Sequence, residues 1–227
     1  MAQEKVWDKE YERGLFITRG DEPQTDTKDF IKFLKTQDIE VEKTHVLDLG
    51  SGMGRNSIYF AELGSIVTGI EISSVALKEA EKRTREKGLT ISYLHKSIGD
   101  KLSFEDDSFD IVLDVTSSNS LTQYEREIYL KEVYRVLKPD GWFYVKALCK
   151  DGDKNAQTLL KTNPGKEPGT YIMPETNIVE RVWSKEDFEK FYGQYFEVIK
   201  LDKKTNYSRF NNQSYKRNFW LGYLKKK

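Results

Sequence analysis

The sequence predicts an α/β protein built on a doubly wound, mostly parallel, seven-stranded sheet that ends in an antiparallel hairpin. Strand-like and helix-like segments alternate along most of the 227 residues, an order typical of a parallel sheet covered by helices on both faces. A glycine-rich turn follows the first strand of this series, as in nucleotide-binding sheets. The last two strand-like segments, 196–199 and 218–223, have no helix between them, so they must pair antiparallel.

The first βαβ unit carries the most informative motif of the chain. An apolar strand at 46–49 leads into Gly50, Gly52 and Gly54, and a helix-like segment follows until Gly64 stops it. Glycines let the backbone turn sharply and approach a ligand where a Cβ atom would collide. We interpret this turn as a nucleotide-binding loop, and a tight turn without a ligand is the alternative.

Glu71 lies near the carboxyl end of the second strand, 66–72, and 21 positions after Gly50. A carboxylate about 20 residues after the glycine motif binds ribose hydroxyls in sheets of this kind. One carboxylate can accept from both hydroxyls of a ribose, so a single residue fixes the sugar. The alternative is an exposed glutamate at the end of a strand.

The next elements follow in alternating order. Apolar residues at helical spacing predict helices at 27–34 and 75–87, the second of which Gly88 ends. Short apolar runs predict strands at 90–94 and 111–115.

A capping box predicts the start of the helix after the fourth strand. Thr122 and Glu125 have the spacing in which each side chain bonds the backbone N–H of the other. We expect that helix to end in a Leu-Lys-Pro-Asp-Gly turn at 137–141, before a fifth strand at 142–145.

Segment 151–180 differs in composition from the rest of the chain. It holds three of the five prolines and three of the fifteen glycines, so we expect a long loop. Loops of this length in compact domains are usually functional or mobile. Beyond it, Phe188, Phe191, Tyr192 and Tyr195 lie at helical spacing, and we expect this aromatic stripe to pack in the core.

These motifs resemble those of the class I S-adenosylmethionine-dependent methyltransferases. The resemblance rests on the acidic-x-Gly-x-Gly-x-Gly pattern at 48–54 and on the helix, Leu-Lys-Pro-x-Gly turn and aromatic strand that reach residue 145. It covers about residues 5–225 and implies a single domain, 1–227, whose cofactor is S-adenosylmethionine. Segment 52–59 and the closing Arg217-Asn218-Phe219 resemble the tellurite-resistance and thiopurine-type methyltransferases, which implies a small-molecule acceptor.

The resemblance also implies which residues contact the cofactor. They are Trp7, Tyr11, Asp48, Gly50, Gly52, Asn56, Glu71, Ile72, Ile98 and Val115. The glycine loop would surround the methionine part, Glu71 would hold the ribose, and a carbonyl near Val115 would bind the ammonium group. For adenine, either the backbone N–H of Ile98 or the side chain of Asp100 would serve, and Arg19 would pair with the methionine carboxylate.

The acceptor side is less defined by the sequence. Ser117 and Asn119 follow the fourth strand and are candidates for acceptor contact, although both residues also favour turns. An N-terminal lid at about 1–26 and the insertion at about 151–180 would cover the cleft, with aromatic packing and a passive surface excursion as the respective alternatives. No catalytic base is identified from the sequence.

Composition sets the outer limits. Basic and acidic residues number 37 each, so no overall field attracts nucleic acid. No apolar run approaches the ~20 residues that span a bilayer, and Cys149 is the only cysteine, which together predict a cytoplasmic protein. We expect a monomer or a homodimer, and the sequence does not decide between them. His45 and His95 are not spaced as metal ligands, so we expect no histidine-based metal site.

The C-terminal hairpin is compatible with a different function. Residues 200–227 hold nine basic side chains and one acidic side chain, with aromatics interleaved. This pattern is compatible with an RNA or protein methyltransferase that binds its substrate on the hairpin, but also with a charged hairpin that resists edge-to-edge pairing. Two further functions stay open: a module that binds the cofactor without catalysis, and an NAD-dependent dehydrogenase, which the glycine spacing and the hairpin ending disfavour.

Overall fold

The computed structural model describes residues 3–13, 20, 22–174, 176–210 and 213–227. Within these ranges the chain forms seven α-helices, nine β-strands and a short 3-10 helix, Ser118–Ser120. The helices are α1 (Glu4–Arg13), α2 (Thr25–Thr36), α3 (Arg55–Glu62), α4 (Ser74–Glu86), α5 (Gln123–Val136), α6 (Lys154–Thr162) and α7 (Lys185–Tyr192). The strands are β1 (His45–Leu49), β2 (Ile66–Glu71), β3 (Ser92–His95), β4 (Phe109–Val115), β5 (Leu137–Cys149), β6 (Thr170–Ile172), β7 (Val179–Arg181), β8 (Phe196–Phe210) and β9 (Gln213–Lys226).

Seven strands form one sheet in the order β3-β2-β1-β4-β5-β9-β8. The first five run parallel, and β9 pairs antiparallel with both β5 and β8. The order reverses beside β1, which places a crevice at the carboxyl ends of β1 and β4. The predicted fold class, with its antiparallel ending, is confirmed.

Alternate residues of the central strands pack on opposite faces of the sheet. Leu47, Val112 and Phe143 face the core beneath α5 and α7. Their neighbours Val46 and Ile111 face the core beneath α2 and α3. Because strand side chains alternate, each of these buried strands contributes to both cores.

The helix ends before 137–141 as expected, since α5 ends at Val136, but the segment is not a separate turn before the fifth strand. Strand β5 runs through it, although the register against β4 shifts between Phe109 and Ile111. Asp140 has a φ of 62°, a left-handed conformation that lets the segment bulge without leaving the sheet edge. The Pro-Asp-Gly sequence therefore makes a bulge inside a strand.

The expected long loop at 151–180 is also wrong. The segment contains helix α6 and the two-stranded hairpin of β6 and β7. It has a small core of its own, in which Ala156, Tyr171 and Val182 pack against Leu148 of β5. The apolar residues between the prolines indicate these elements. The proline and glycine content of the segment instead favours a loop.

The aromatic stripe packs in the core as predicted, although α7 ends at Tyr192 and Tyr195 follows in a turn. Phe188 and Tyr192 are fully buried, and Phe191 and Tyr195 pack partly buried against the same cluster. The capping box of Thr122 and Glu125 is also present at the start of α5. No helix among the described residues is long and apolar enough to cross a membrane.

Candidate active site

A cleft opens at the carboxyl ends of β1, β2 and β4, where ligands bind in doubly wound sheets. The loop between β1 and α3 forms its floor, segments 96–98 and 115–117 form its sides, and α1 covers it. Ten of the twelve residues that the sequence singled out line this cleft. Asp48 and Asn119 are the two that lie elsewhere.

The glycine loop takes the conformation that its composition predicts. Gly50 and Gly52 have φ values of 68° and 56°, in the left-handed region that other residues rarely adopt. A Cβ atom on Gly52 would lie 2.7 Å from the Tyr11 hydroxyl, and one on Gly50 would collide with the Ser117 side chain. Both glycines are therefore required by backbone conformation and by neighbouring atoms at once.

Glu71 joins the glycine loop to the start of α4. Its Oε2 accepts from the Gly52 amide at 2.8 Å, and its Oε1 accepts from the Ser73 amide at 2.8 Å. Burial raises the pKa of Glu71, and the backbone donors partly oppose that rise. Each carboxylate oxygen keeps a further lone pair, so Glu71 can still accept from two adjacent hydroxyls in the cleft.

Asp48 lies behind the glycine loop and not on the cleft wall. Its Oδ2 accepts from the Ser57 hydroxyl at 2.6 Å, and the residue is 2% exposed. Burial raises the pKa of Asp48 to about 6, against a hydrogen bond from Ser57 that lowers it. The carboxylate ties β1 to α3 in this arrangement, and the predicted cofactor contact of Asp48 has no support from its position.

Helix α1 closes the cleft from above. Asp8 Oδ1 accepts from the Ser73 hydroxyl at 2.6 Å, and Gln3 Nε2 donates to the Ser120 carbonyl at 2.5 Å, so the helix is held at its middle and just before its first residue. Trp7 and Tyr11 line the cleft with ring centroids 6.3 Å apart. Burial, and then Glu71, raise the pKa of Tyr11 well above its usual value, so its hydroxyl stays neutral.

The turn after β4 is held from below by Asp114. Its Oδ1 accepts from the backbone amides of Ser117 and Ser118, and Ser117 Oγ lies 2.5 Å from the same oxygen. Thr116, which lines the cleft, has a φ of 66°, a strained value for a β-branched residue. Strain of this kind is typical of functional sites.

Asn119 faces away from the cleft. Its Oδ1 accepts from the Leu148 amide at 3.3 Å, and the residue is 2% exposed. The Asn119 side chain therefore fixes the 3-10 helix on β5. Ser117 is the predicted acceptor residue that does reach the cleft.

The sequence missed several residues of the cleft wall. Gln24, Arg55 and Lys96 all line it, and no spacing rule singles them out. Arg55 follows the glycine motif directly and begins α3. A basic residue at that position was the one sequence feature that could have indicated it as a cleft residue. Ile98 and Asp100, both considered for adenine, line the same end, and Arg19 lies outside the described residues.

Comparison with known proteins agrees with this geometry. Residues 46–141 match the protein-family model described as a methyltransferase domain. A structure of an S-adenosylmethionine-dependent methyltransferase from Methanosarcina mazei has a TM-score of 0.71 and 25% identity, over 85% of this chain and 96% of that chain. Residues 46–141 form a methyltransferase domain, and the chain has the class I methyltransferase fold. S-adenosylmethionine is the cofactor of this domain.

Other relatives bear on the subfamily. Sterol 4-C-methyltransferase strm-1 of Caenorhabditis elegans is 29% identical over 167 residues, which are 67% of this chain and 49% of that protein. The chain spans about half the length of the curated relatives it matches, or less. TehB from Haemophilus influenzae has a TM-score of 0.67 at 18% identity, over 90% of this chain and 63% of that chain, which shows the fold alone. The predicted likeness to the tellurite-resistance group stays a prediction.

The residues that line the methyltransferase cleft have the geometry that binding of S-adenosylmethionine requires. The floor at Gly52 has no room for a side chain, so the backbone itself meets the ligand. Glu71 retains acceptor capacity beside that floor, as binding of ribose hydroxyls requires. Trp7 and Tyr11 supply aromatic faces, which attract a cationic centre electrostatically.

Proposed function

We propose that the protein is an S-adenosylmethionine-dependent methyltransferase that transfers a methyl group to a small-molecule acceptor. The observation that carries this proposal is the Gly52 amide bonded to Glu71 at 2.8 Å, in a cleft that α1 covers. That arrangement joins the backbone floor to the carboxylate for ribose. A covered cleft admits a small acceptor more readily than a folded macromolecule.

The residues of the cleft have separate tasks in this proposal. When bound, S-adenosylmethionine would supply an electrophilic methyl group on its sulfonium, and S-adenosylhomocysteine would be the leaving group. The glycine loop and Glu71 orient the cofactor, and proximity and alignment then account for most of the acceleration. Helix α1, through Trp7 and Tyr11, keeps water from the reacting centre.

The acceptor end of the cleft lies beside the turn after β4. We propose that Ser117 contacts the acceptor, because its side chain lines the cleft where Asn119 does not. No histidine is among the described residues that line the cleft. A thiol or an oxyanion needs little base assistance, so such acceptors suit this site better than a protonated amine.

The domain organisation is part of the same proposal. The N-terminal segment at about 1–26 acts as the lid, which the bonds of Gln3, just before α1, and of Asp8, in the middle of α1, support. The insertion 151–180 flanks the acceptor side, since β7 packs on the 3-10 helix whose Ser120 lines the cleft. Limited proteolysis with and without S-adenosylhomocysteine tests this organisation. The proposal would be contradicted if the ligand did not change the rate of cleavage in either segment.

The alternative of a nucleic-acid or protein substrate on the hairpin is not favoured. Several basic side chains of β8 and β9 pair with acids of the fold: Lys204 with Asp26, Arg217 with Glu180, Lys225 with Asp140 and Lys226 with Asp107. Paired cations contribute little to binding of phosphates. We interpret the basic residues as stabilising the hairpin on the domain.

We also propose a cytoplasmic location and a monomeric or homodimeric state. Equal numbers of basic and acidic residues support the first, together with Cys149, which is buried and whose thiol pKa burial raises to about 11. A thiol of this kind is inert and suits a reducing compartment. Sedimentation velocity of the purified chain decides between the two assembly states.

Calorimetric titration tests the proposed function. Wild type should bind S-adenosylmethionine and S-adenosylhomocysteine, and NAD should give no heat. Glu71→Gln should weaken both adenosyl ligands by about tenfold or more, because it removes a charged acceptor. Glu81→Gln, on the exposed face of α4, is the matched control. Binding of NAD in place of the adenosyl ligands would refute the proposal.

Turnover separates an enzyme from a binding module. Release of S-adenosylhomocysteine is measured with a panel of small thiols, phenols and carboxylic acids, and with RNA and a histone mixture. We expect turnover with at least one small molecule. Turnover confined to the macromolecules would overturn the choice of acceptor class, and cofactor binding without any turnover would favour the module.

A further inference from the structure

A second cavity lies between α5 and α7, and the start of α5 separates it from the active-site cleft. Gln123 and Arg126 line this cavity, whereas Leu121 and Glu125 line the cleft. Among the described residues, none lines both. The cavity measures about 490 Å³, within the roughly 300–1,000 Å³ of sites for small organic ligands. We call it the α5–α7 pocket.

The apolar part of the pocket lining is mostly aromatic. Trp183 and Leu130 are 3% and 2% exposed, and Phe191 and Tyr195 are partly buried. The rings of Trp183 and Phe191 lie with their centroids 5.1 Å apart and their planes tilted by 36°. Adjacent rings of this kind offer a broad face to the apolar body of a ligand.

Arg181, the last residue of β7, adds a guanidinium group to this lining. Its Cζ lies 4.6 Å from the centre of the Trp183 ring, and its Nη1 donates to the Pro168 carbonyl. Gly169 has a φ of 68°, and a Cβ atom there would lie 2.5 Å from the same Nη1. The ring and the backbone of Pro168 and Gly169 therefore hold the guanidinium in one position.

No acid neutralises Arg181 at short range. Among the described residues none lies within ion-pair distance of its guanidinium, and its Nε has no hydrogen-bond partner. Burial, and then the charge of Arg126, lower the pKa of Arg181, whereas Asp187 and Glu167 oppose that shift. Both acids have partners of their own. Asp187 pairs with Lys150 at 3.0 Å. Glu167 pairs with Arg126 at 2.7 Å, so three cations share two carboxylates here.

The rims of the pocket add further positive charge. Lys131 on α5 and Lys190 on α7 are exposed, and neither has an ion-pair partner among the described residues. In the described part of the chain, four cations and two acids line the pocket, the acids being Glu127 and Asp187. The excess of positive charge favours entry of an anion.

We propose that the α5–α7 pocket binds a small aromatic carboxylate, whose carboxylate pairs with Arg181 and whose ring lies against Trp183 and Phe191. A carboxylate matches the planar fork of a guanidinium, and partial burial strengthens the bond between the two charges. Since the start of α5 lies between the pocket and the cleft, this ligand is distinct from the methyl acceptor. The inference does not rest on the proposed function, and the protein without cofactor is sufficient to test it.

Calorimetric titration with 2-naphthoate and 2-naphthamide tests the site. The two probes share one ring system and a similar shape, and only the first carries a charge. The variants are Arg181→Gln, which removes the cation, and Arg181→Lys, which keeps the charge without the planar fork. Arg85→Gln on α4 is the matched control, since Arg85 is exposed and lines neither cavity. Circular dichroism verifies that every variant is folded.

Wild type and Arg85→Gln should bind 2-naphthoate about tenfold or more tightly than 2-naphthamide, the effect of one charge-assisted hydrogen bond. Arg181→Gln should lose this preference and keep the wild-type affinity for 2-naphthamide. Arg181→Lys should keep a smaller preference. Saturating S-adenosylhomocysteine should change the affinity for 2-naphthoate by less than about threefold, because the cofactor product binds in the cleft.

Three results would overturn the inference. The first is a wild type that binds neither probe or binds both equally. The second is an Arg181→Gln variant that keeps the preference, or that weakens both probes alike. The third is displacement of 2-naphthoate by S-adenosylhomocysteine, which would place the probe in the cleft. If Arg181→Gln does not fold, a wild-type preference in Arg181→Lys overturns the inference in its place.

Discussion

Removal of one buried hydroxyl should measure how much the hydrogen bonds of Asp114, which hold the turn after β4, contribute to the stability of the fold. Tyr129 on α5 donates its hydroxyl proton to Asp114 Oδ2 at 2.6 Å, and Asp114 is fully buried. The amides of Ser117 and Ser118 reach only the other oxygen, Oδ1. In Tyr129→Phe, therefore, Oδ2 loses the donor that the structure gives it.

The size of the effect follows from that geometry. A buried carboxylate oxygen left without a donor costs about 2 kcal/mol or more. For a chain of this size 1 kcal/mol corresponds to about 2–4 °C in Tm, so Tm should fall by about 4–8 °C. Because the bonds to Oδ1 remain, affinity for S-adenosylhomocysteine should change by less than about threefold.

The assay is differential scanning calorimetry beside calorimetric titration of the same samples. Tyr124→Phe is the matched control, because Tyr124 lies on the same helix and is 73% exposed. Tyr192 is a second buried tyrosine close enough for the Asp114 charge to raise its pKa, after the larger effect of burial. The double variant Tyr129→Phe/Tyr192→Phe excludes the case in which the Tyr192 hydroxyl replaces that of Tyr129 as the donor to Asp114. If the double variant melts within about 1 °C of Tyr124→Phe, the reasoning is refuted.

Four further expectations concern the same site. Gly50→Ala should lower stability by about 2 kcal/mol or more, because Gly50 has a φ of 68° and a new Cβ collides with Ser117; urea unfolding measures this loss. The contribution of Asp48 to stability should decline as the pH rises from 3.8 to about 6, since the folded state keeps a proton on Asp48 that the unfolded chain releases. Asp48→Asn should flatten that slope and raise stability at pH 7 by roughly 1–3 kcal/mol, which melting at several pH values checks. Thr122→Ala should cost about 1 kcal/mol through the lost capping box, a loss readable in urea unfolding. Asp8→Ala should release α1 from Ser73 and speed dissociation of S-adenosylhomocysteine, followed by stopped-flow fluorescence of Trp7.

The parts of the fold that the sequence predicted are those that local chemistry dictates. Gly50 and Gly52 had to be glycines because of their backbone conformation, and Glu71 followed them at a fixed distance. The capping box at Thr122 predicts where α5 starts from residues within one turn of it. Periodicity and turn chemistry act over a few residues, so one sequence is enough to recognise them.

The parts that were missed depend on contacts between distant segments. Whether Asp48 faces the cleft or Ser57 is decided by how α3 packs on β1, which no spacing rule encodes. Gln24 reaches the cleft wall through Lys146, 122 positions away in the chain. The proline and glycine content of 151–180 predicts a loop, whereas the apolar residues of the segment pack into a small core with Leu148.

The position of β9 in the sheet has a consequence for biosynthesis. Among the described strands β9 comes last in the chain, yet it lies between β5 and β8 inside the sheet. During translation, β5 must therefore wait with an unpaired edge until β9 has left the ribosome. The short connection from β8 lets the two strands zip together first and dock as one hairpin. A nascent chain paused before β9 would expose that open edge to other strands, so edge-to-edge aggregation is expected in this interval.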